Sequence, residues 1–268
     1  MKAKKSLGQN FLKSEMALKK IIEAGEIKPD DTILEIGPGQ GALTSKLLEK
    51  VSEGSPCSGI VIAVEKDREL FKMLEKKFSG QIKSGSLVLV HGDILDFNTS
   101  NYNLEARTYK IIANIPYNIT GAILKKFLTA KNQPTLMVLM VQQEVAERIL
   151  ARPRPDGEGA KESILSISVK AYGEPKMVMK VPARYFSPAP KVDSAIITIR
   201  NISRKIFMEN KVNEEKFWEI VKAGFAHKRK KLSGNLKNVI SCQRRPLTEL
   251  GNKRAEDLSL ADWIALAK

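Results

Sequence analysis

Cysteine and histidine are scarce. The 268 residues include two of each, Cys57 and Cys242, and His91 and His227. Neither pair has metal-ligand spacing, so a metal site and a histidine-based triad are both poorly supported, and no metal is expected. The cysteines are expected to be free thiols in a reducing compartment. No apolar run reaches the ~18 residues of a membrane span. The basic N-terminus MKAKKSLGQNFLKSEM lacks the apolar stretch and small-residue cleavage site of a signal peptide. A soluble, cytoplasmic protein without a membrane partner is expected. No internal repeat or low-complexity tract is visible, and no oligomerisation signal stands out, so a monomer is expected.

Acidic residues are also few relative to basic ones. Thirty Asp and Glu face 45 Lys and Arg, a net charge of +15. Residues 201–268 alone carry 15 basic and 8 acidic side chains. Such an excess favours a polyanionic partner, because each neutralised phosphate releases counterions. A lysine-rich solvated surface is the plainer alternative. The hydrophobic fraction of 43% supplies a core and excludes global disorder.

From residue 14 to about 150 the chain alternates strand-like runs with helix-like ones. TILEIGPG, GIVIAVEKD, SLVLVHGD, YKIIANIP and TLMVLMVQ are near-continuous apolar runs, the pattern of strands covered on both faces. Between them SEMALKKIIEAG (with Ser14 as N-cap), ALTSKLLEK, RELFKMLEKKF and TGAILKKFL have helical spacing, and QEVAERIL follows the last run. This predicts an α/β fold with a doubly wound, mostly parallel, Rossmann-like sheet. ARPRPDGEGAKES (151–163) is a loop, ILSISVKAYG a helix, and KMVMKV with DSAIITIR finish the sheet. After Arg200 only helical patterns remain. Two domains are therefore expected: 1–201, built on the sheet, and a smaller all-helical domain, 202–268.

LEIGPGQGALT places Gly37, Gly39 and Gly41 between a strand and a helix. The spacing is G-x-G-x-G, not the dinucleotide G-x-G-x-x-G. Taken alone it also fits an ordinary strand-to-helix turn. Glu65 ends the next strand, where an acid can accept hydrogen bonds from the ribose of an adenosine. It lies 28 residues after Gly37, longer than the usual ~20, and SEGSPCSG (52–59) reads as the insertion responsible. Asp93, at the end of the third strand, suits an adenine amino group, or equally a helix cap or turn.

Both NAD and S-adenosylmethionine would present an adenosine to these groups. The tetrad NIPY (114–117) separates them, because it resembles the N/D-P-P-Y/F signature of enzymes that methylate exocyclic amines of bases. The Asn114 oxygen and a backbone carbonyl near Ile115 can accept the two N–H bonds of an adenine amine, orienting it and freeing its lone pair. Pro116 fixes the carbonyl direction. Tyr117 can stack on the base, worth ~1–3 kcal/mol. Phe186, in ARYFSPAPKVDSAI, offers a second stacking face for a flipped-out base, although a lone aromatic there is as readily core.

The stretches KKSLGQNFL, LEIGPGQGALT, VIAVEKD, VHGDIL, ANIPYNIT, MVQQEVAERI and FSPAPKVDSA occur in the order seen in ribosomal RNA adenine dimethyltransferases. The chain resembles that family from Lys5 to about residue 240, and more closely its KsgA type than its Erm type. FSPAPKVDSA keeps Asp193, where Erm enzymes tend to have Asn. AGFAHKRKKLSGNL resembles a KsgA-type stretch that Erm enzymes lack, with His227-Lys228 and Ser233-Gly234 departing from it. The resemblance implies S-adenosyl-L-methionine as methyl donor. It implies dimethylation of two adjacent adenosines near the 3′ end of small-subunit (16S) rRNA, within an immature 30S particle, during ribosome biogenesis. It further implies that Asn10 and Leu12 contact the donor where GQNFL closes over it. Gly37 would face the donor's methionine part, Glu65 its ribose and Asp93 its adenine. Asn114 would face both donor and target amine, with Tyr117 and Phe186 stacking on the base. HKRKK (227–231), with Lys2, Lys4 and Lys5, would contact RNA phosphates rather than read sequence. HKRKK also fits a solvated helix end.

Three alternatives are weighed. An Erm-type enzyme would methylate one adenosine of large-subunit rRNA. A nucleic-acid-binding factor that had lost catalysis is disfavoured by intact Gly37, Glu65, Asp93, Asn114 and Tyr117. A nicotinamide-dependent oxidoreductase is disfavoured by NIPY and the missing G-x-G-x-x-G.

Overall fold

The computed structural model describes residues 3–4, 7–52, 59–102, 104, 108–151, 161–239 and 245–268. Lys2, Lys5, Cys57, Cys242, and most of the 52–59 insertion and the 151–163 loop lie outside the described residues. The chain forms two compact units, Met1–Ala146 with Lys176–Ile202, and Glu147–Pro175 with Ser203–Lys268. The sequence-based division draws one line at 201/202, whereas here 147–175 groups with the C-terminal residues.

The strands are β1 (Phe11–Leu12), β2 (Thr32–Ile36), β3 (Ile60–Glu65), β4 (Leu87–His91), β5 (Tyr109–Asn114), β6 (Leu136–Gln142), β7 (Glu174–Val181), β8 (Phe186–Ser187) and β9 (Ser194–Arg200), all in the first unit but for the first two residues of β7. Seven of them form one sheet in the order β4-β3-β2-β5-β6-β9-β7. The pairs β3–β4, β2–β3, β2–β5 and β5–β6 are parallel, and β9 runs antiparallel to β6. Every residue of β2 is buried, as are the first six of β6. A strand covered on both faces selects for just such unbroken apolar runs.

The strand order reverses between β2 and β5, since β3 and β4 lie on one side of β2 and β5 and β6 on the other. A crevice opens there at the carboxyl ends of the strands, the place where such sheets bind ligands. Helices α1 (Glu15–Gly25), α2 (Ala42–Val51), α3 (Arg68–Lys77), α4 (Ser79–Ser84) and α5 (Thr120–Leu128) intervene between the strands. Ser14 caps α1 by accepting from the Ala17 N–H, and Asp67 caps α3 by accepting from the Glu69 N–H. One core cluster joins Ile33, Ile112, Val138 and Ile196 of the sheet to Ile21 and Leu47 of the helices and to Leu12 and Phe186.

Two features escape the sequence reading. The six-residue α4 has no apolar periodicity. The antiparallel pair β1–β8 is two residues long, with Leu12 opposite Phe186 and Phe11 opposite Ser187. So short a ladder joins segments some 175 positions apart and has no local signature.

From Gln143 onward the helices are α6 (Gln143–Leu150), α7 (Ile164–Lys170), α8 (Lys205–Asn210), α9 (Glu214–Gly224), α10 (Leu232–Leu236), α11 (Arg245–Leu250) and α12 (Leu260–Ala267). Ser163 and Ser259 start α7 and α12 with capping boxes. In the second unit Tyr172 donates to Glu214, accepts from Trp218 Nε1 at 2.9 Å, and joins Phe207, Phe217 and Trp218 in an aromatic cluster. These contacts tie residue 172 to α9, which is why 147–175 belongs with the helices. Among the described residues no helix is long and apolar enough to cross a membrane.

Candidate active site

The loop after β2 is built of backbone conformations that side chains resist. Gly37, Gly39 and Gly41 have φ of 67°, 59° and 77°. Glycine alone adopts these at no steric cost. A Cβ on Gly39 would stand 3.1 Å from the Phe11 ring, so the N-terminal segment lies directly against this loop.

Glu65, at the end of β3, is 5% exposed. Its Oε2 accepts from the Gly39 N–H at 3.0 Å and its Oε1 from the Asp67 N–H at 2.8 Å. Burial raises its pKa, against the effect of these two donors. The carboxylate is thereby locked in orientation, with its oxygens turned to the crevice. Asp93, in the turn after β4, accepts from the Lys66 ammonium at 2.7 Å and from the Leu95 N–H at 2.9 Å. Those two bonds, Lys66 first, hold its carboxyl below the usual range. Its plainer role as a turn cap is thus real and coexists with its place in the crevice.

Asn114 ends β5. Its Nδ2 donates to the Asn10 carbonyl at 3.2 Å. That contact fixes which way the carboxamide faces and makes Oδ1 the acceptor it has to offer. Pro116 (φ −60°, ψ 130°) then turns the chain into the single 3₁₀ turn Tyr117–Ile119. The Tyr117 hydroxyl lies 2.5 Å from Ser194 Oγ at the start of β9, and burial raises the pKa of the phenol. One end of the ring is pinned, so its face is held in place.

The N-terminal segment crosses this crevice. Gly8 lies beside Asn118 and Pro116, at 3.4 and 3.6 Å from an idealised Cβ, and β1 pairs with β8. The crevice is lined by Asn10, Leu12, Gly37, Glu65, Asp93, Asn114 and Tyr117 together. Phe186 is not among the lining residues. It is 4% exposed and belongs to the core cluster. Freeing its ring would forfeit about 1.5–3 kcal/mol of burial, about the same as the ~1–3 kcal/mol that stacking returns.

Glu35, Gln9 and Asp67 join the site without being among the residues expected from sequence. Glu35 sits within β2, 1% exposed, and lines the crevice with an Oε2 that has no hydrogen-bond partner. An acid inside the apolar run TILEI was the available signal. Burial and the neighbouring Glu65 charge push its pKa up to about 8, from an ordinary 4.5. Between those values the folded protein holds a proton that the unfolded chain has released. Stability therefore falls as pH rises through this window, by up to about 1.4 kcal/mol per pH unit. Glu35→Gln is expected to remove that decline. In urea titrations from pH 5 to 8 the variant should gain on the parent at each step, and parallel curves would refute the assignment.

The donor set suits an adenosine carrying a cationic tail. Glycine backbone leaves room at the loop, Glu65 and Asp93 offer anionic acceptors, and the unpartnered Glu35 oxygen can meet a positive group. Among the described residues no cluster of three or more His, Cys, Asp or Glu could hold a metal.

The second unit carries the exposed run His227–Lys231. Asn235 Nδ2 donates to the Gly224 carbonyl at 2.6 Å and the His227 carbonyl at 3.2 Å, holding the turn that presents it. Asp193 accepts from the Ala183 N–H at 2.8 Å, bracing the loop before β9.

Comparison with known proteins gives concordant matches. The family model described as "Ribosomal RNA adenine dimethylase" matches residues 1–268. A Dehalococcoides mccartyi protein named "Ribosomal RNA small subunit methyltransferase A" is 40% identical, over 99% of this chain and 88% of its own length. A protein of the same name from Fusobacterium nucleatum is 38% identical, over 100% and 97%. Among solved structures, a dimethyladenosine transferase from Plasmodium falciparum superposes with a TM-score of 0.76 at 26% identity, covering 96% of this chain and 95% of that one. The 23S rRNA methyltransferase ErmE gives 0.70 at 26% identity, covering 96% and 98%.

Proposed function

The chain belongs to the ribosomal RNA adenine dimethylase family, and we propose on that premise that it dimethylates two adjacent adenosines near the 3′ end of small-subunit rRNA. It is an rRNA adenine dimethyltransferase with a Rossmann-like sheet. The methyl donor is S-adenosylmethionine, which supplies an electrophilic methyl group on a sulfonium. The finer assignments, an immature 30S particle as substrate, a monomeric enzyme, a cytoplasmic location and no metal, form part of the proposal.

The observation that carries this reading is the Asn114 carboxamide. It stands at the carboxyl end of β5 beside the glycine loop, with Nδ2 committed to Asn10 and Oδ1 left as the acceptor. Asn114 Oδ1 and the Ile115 carbonyl take the two N–H bonds of the target amine. Its lone pair then forms the new N–C bond as the methyl–sulfur bond breaks, and the resulting ammonium loses a proton to water. Tyr117 holds the extruded base by its face. Phe186 joins the stack only when its ring leaves the core. On the donor side Glu65 takes the ribose hydroxyls, Asp93 the adenine amino group, and Gly37, with Asn10 and Leu12 above it, the methionine part. Glu35 is added as a partner for the donor's positive end. We assign the sheet-bearing unit, without residues 147–175, to donor binding and catalysis. Residues 202–268, with the basic run at 227–231, take the RNA backbone.

The Erm-type alternative has ErmE's similar fold in its favour. The curated relatives at 40% and 38% identity, both named for the small subunit, favour the first reading. Methyl transfer from labelled S-adenosylmethionine to immature 30S particles and, in parallel, to protein-free large-subunit RNA separates them. Dimethyladenosine at two adjacent 30S positions is expected. Label at one adenosine of the large-subunit RNA would move the chain to the Erm type.

A further inference from the structure

We propose that Asp67 is a positioning residue that, through Lys4 and Gln9, latches the N-terminal strap, residues 7–12, across the donor pocket and so ties Glu65 on the ribose side to Asn114 on the target side. The inference rests on the roles given above to Glu65 and Asn114.

Asp67 is 3% exposed, yet it makes more bonds than its place at the start of α3 requires. An N-cap needs one acceptor, and Oδ1 meets that need by accepting from the Glu69 N–H at 2.9 Å. The remaining capacity goes to residues about sixty positions upstream. Oδ1 also accepts from the Lys4 ammonium at 2.9 Å, and Oδ2 accepts from Gln9 Nε2 at 2.9 Å. Gln9 Oε1 accepts in turn from the Lys4 N–H at 2.7 Å, so the three residues close a ring.

Each end of this latch reaches one half of the reaction. On the donor side, the Asp67 N–H is one of the two donors that orient Glu65. On the target side, Asn10 follows Gln9 directly, and its carbonyl is the acceptor that fixes the Asn114 carboxamide. Gly8 rests beside Pro116 and Asn118, and the Phe11 ring beside Gly39. Beyond the two residues of β1 and a backbone hydrogen bond from the Leu7 N–H to the Lys4 carbonyl at 3.1 Å, the segment is held by these tertiary contacts, and ordering it costs conformational entropy that they must offset. Donor binding and strap closure therefore favour one another, by the same factor in both directions.

Asp67→Asn tests the latch with α3 intact, because asparagine caps helices well. Its amide would face Gln9 or Lys4 with a donor against a donor. Asp67→Asn, Gln9→Ala and the double variant are compared with the parent by titration calorimetry with S-adenosylhomocysteine. Amide hydrogen exchange is followed over residues 7–12. Each single change is expected to weaken binding about tenfold, the scale of a lost charge-assisted bond. The double variant should be no weaker than either single one, since both remove the same link. Ligand should slow exchange over 7–12 in the parent and much less in Asp67→Asn. Parent-like affinity and protection in Asp67→Asn would overturn the latch, as would additive losses accompanied by a fall in melting temperature. Glu65→Gln is run alongside. Parent-like binding by Glu65→Gln would defeat the ribose assignment itself. Lost binding in Glu65→Gln with intact binding in Asp67→Asn would defeat the latch alone.

Discussion

Alanine in place of Asn114 is expected to lower methyl transfer by about 10²–10³-fold, the cost of deleting one group aimed at the charge that develops during reaction. Two functions are lost together. The target amine loses the acceptor that orients it, and the Asn10 carbonyl loses its donor. The second loss is a neutral hydrogen bond worth roughly 0.5–1.5 kcal/mol, so donor affinity should fall by no more than about tenfold. RNA affinity should stay within about twofold, because backbone contacts supply most of it. Single-turnover transfer at saturating donor separates the two effects. Asn114→Asp sharpens the test, since it keeps an acceptor while losing the bond to Asn10. It should lie between parent and alanine variant. Near-normal turnover by Asn114→Ala would sink the proposed role.

Gly41→Ala is expected to destabilise the first unit by about 2–5 kcal/mol. Placing alanine in the left-handed region costs roughly 1–2 kcal/mol, and Gly41 has φ 77°. Its new methyl group would stand 2.6 Å from the Phe78 ring and 2.9 Å from Leu74, and overpacking of this kind costs about 1–3 kcal/mol. Against a typical total of 5–15 kcal/mol this is a large share. Calorimetry should show the melting temperature falling by about 5–15 °C. Gly121→Ala is the control. Gly121 lies in α5, its φ is not positive, and a Cβ there meets nothing within 4 Å. It should gain roughly 0.5–1 kcal/mol. Equal effects at the two positions would show that the loop geometry is not what demands glycine.

These two glycines show where a sequence stops speaking. G-x-G-x-G after a strand marks a place where the backbone must turn sharply. It does not say that Phe78 closes over Gly41 or that Phe11 closes over Gly39, because those neighbours arrive from other segments. Phe186 shows the same limit from the other side. Its motif associates it with the base, yet the structure buries its ring with Leu12 and leaves Tyr117 and Phe11 as the aromatics lining the crevice. Whether an aromatic is core or platform depends on which face of a two-residue strand it occupies, and β1–β8 is too short and too non-local to be read.

From residue 14 to 150 the sequence by itself determined the order of the five long strands and of the helices between them, α4 apart, because strands buried on both faces must be apolar throughout and their helices must be amphipathic. It also determined Gly37, Glu65, Asp93, Asn114 and Tyr117 as a group, because each ends a strand or opens a turn, where polar residues interrupt an apolar run. The tertiary structure alone decided the grouping of 147–175 with the C-terminal helices, through Tyr172 and α9. It alone revealed the buried, unpartnered oxygen of Glu35 and the ring joining Lys4, Gln9 and Asp67. The physical reason is common to these. Local periodicity records which way a side chain must face, whereas burial of a charge and the meeting of distant polar groups exist only once the chain has folded around them.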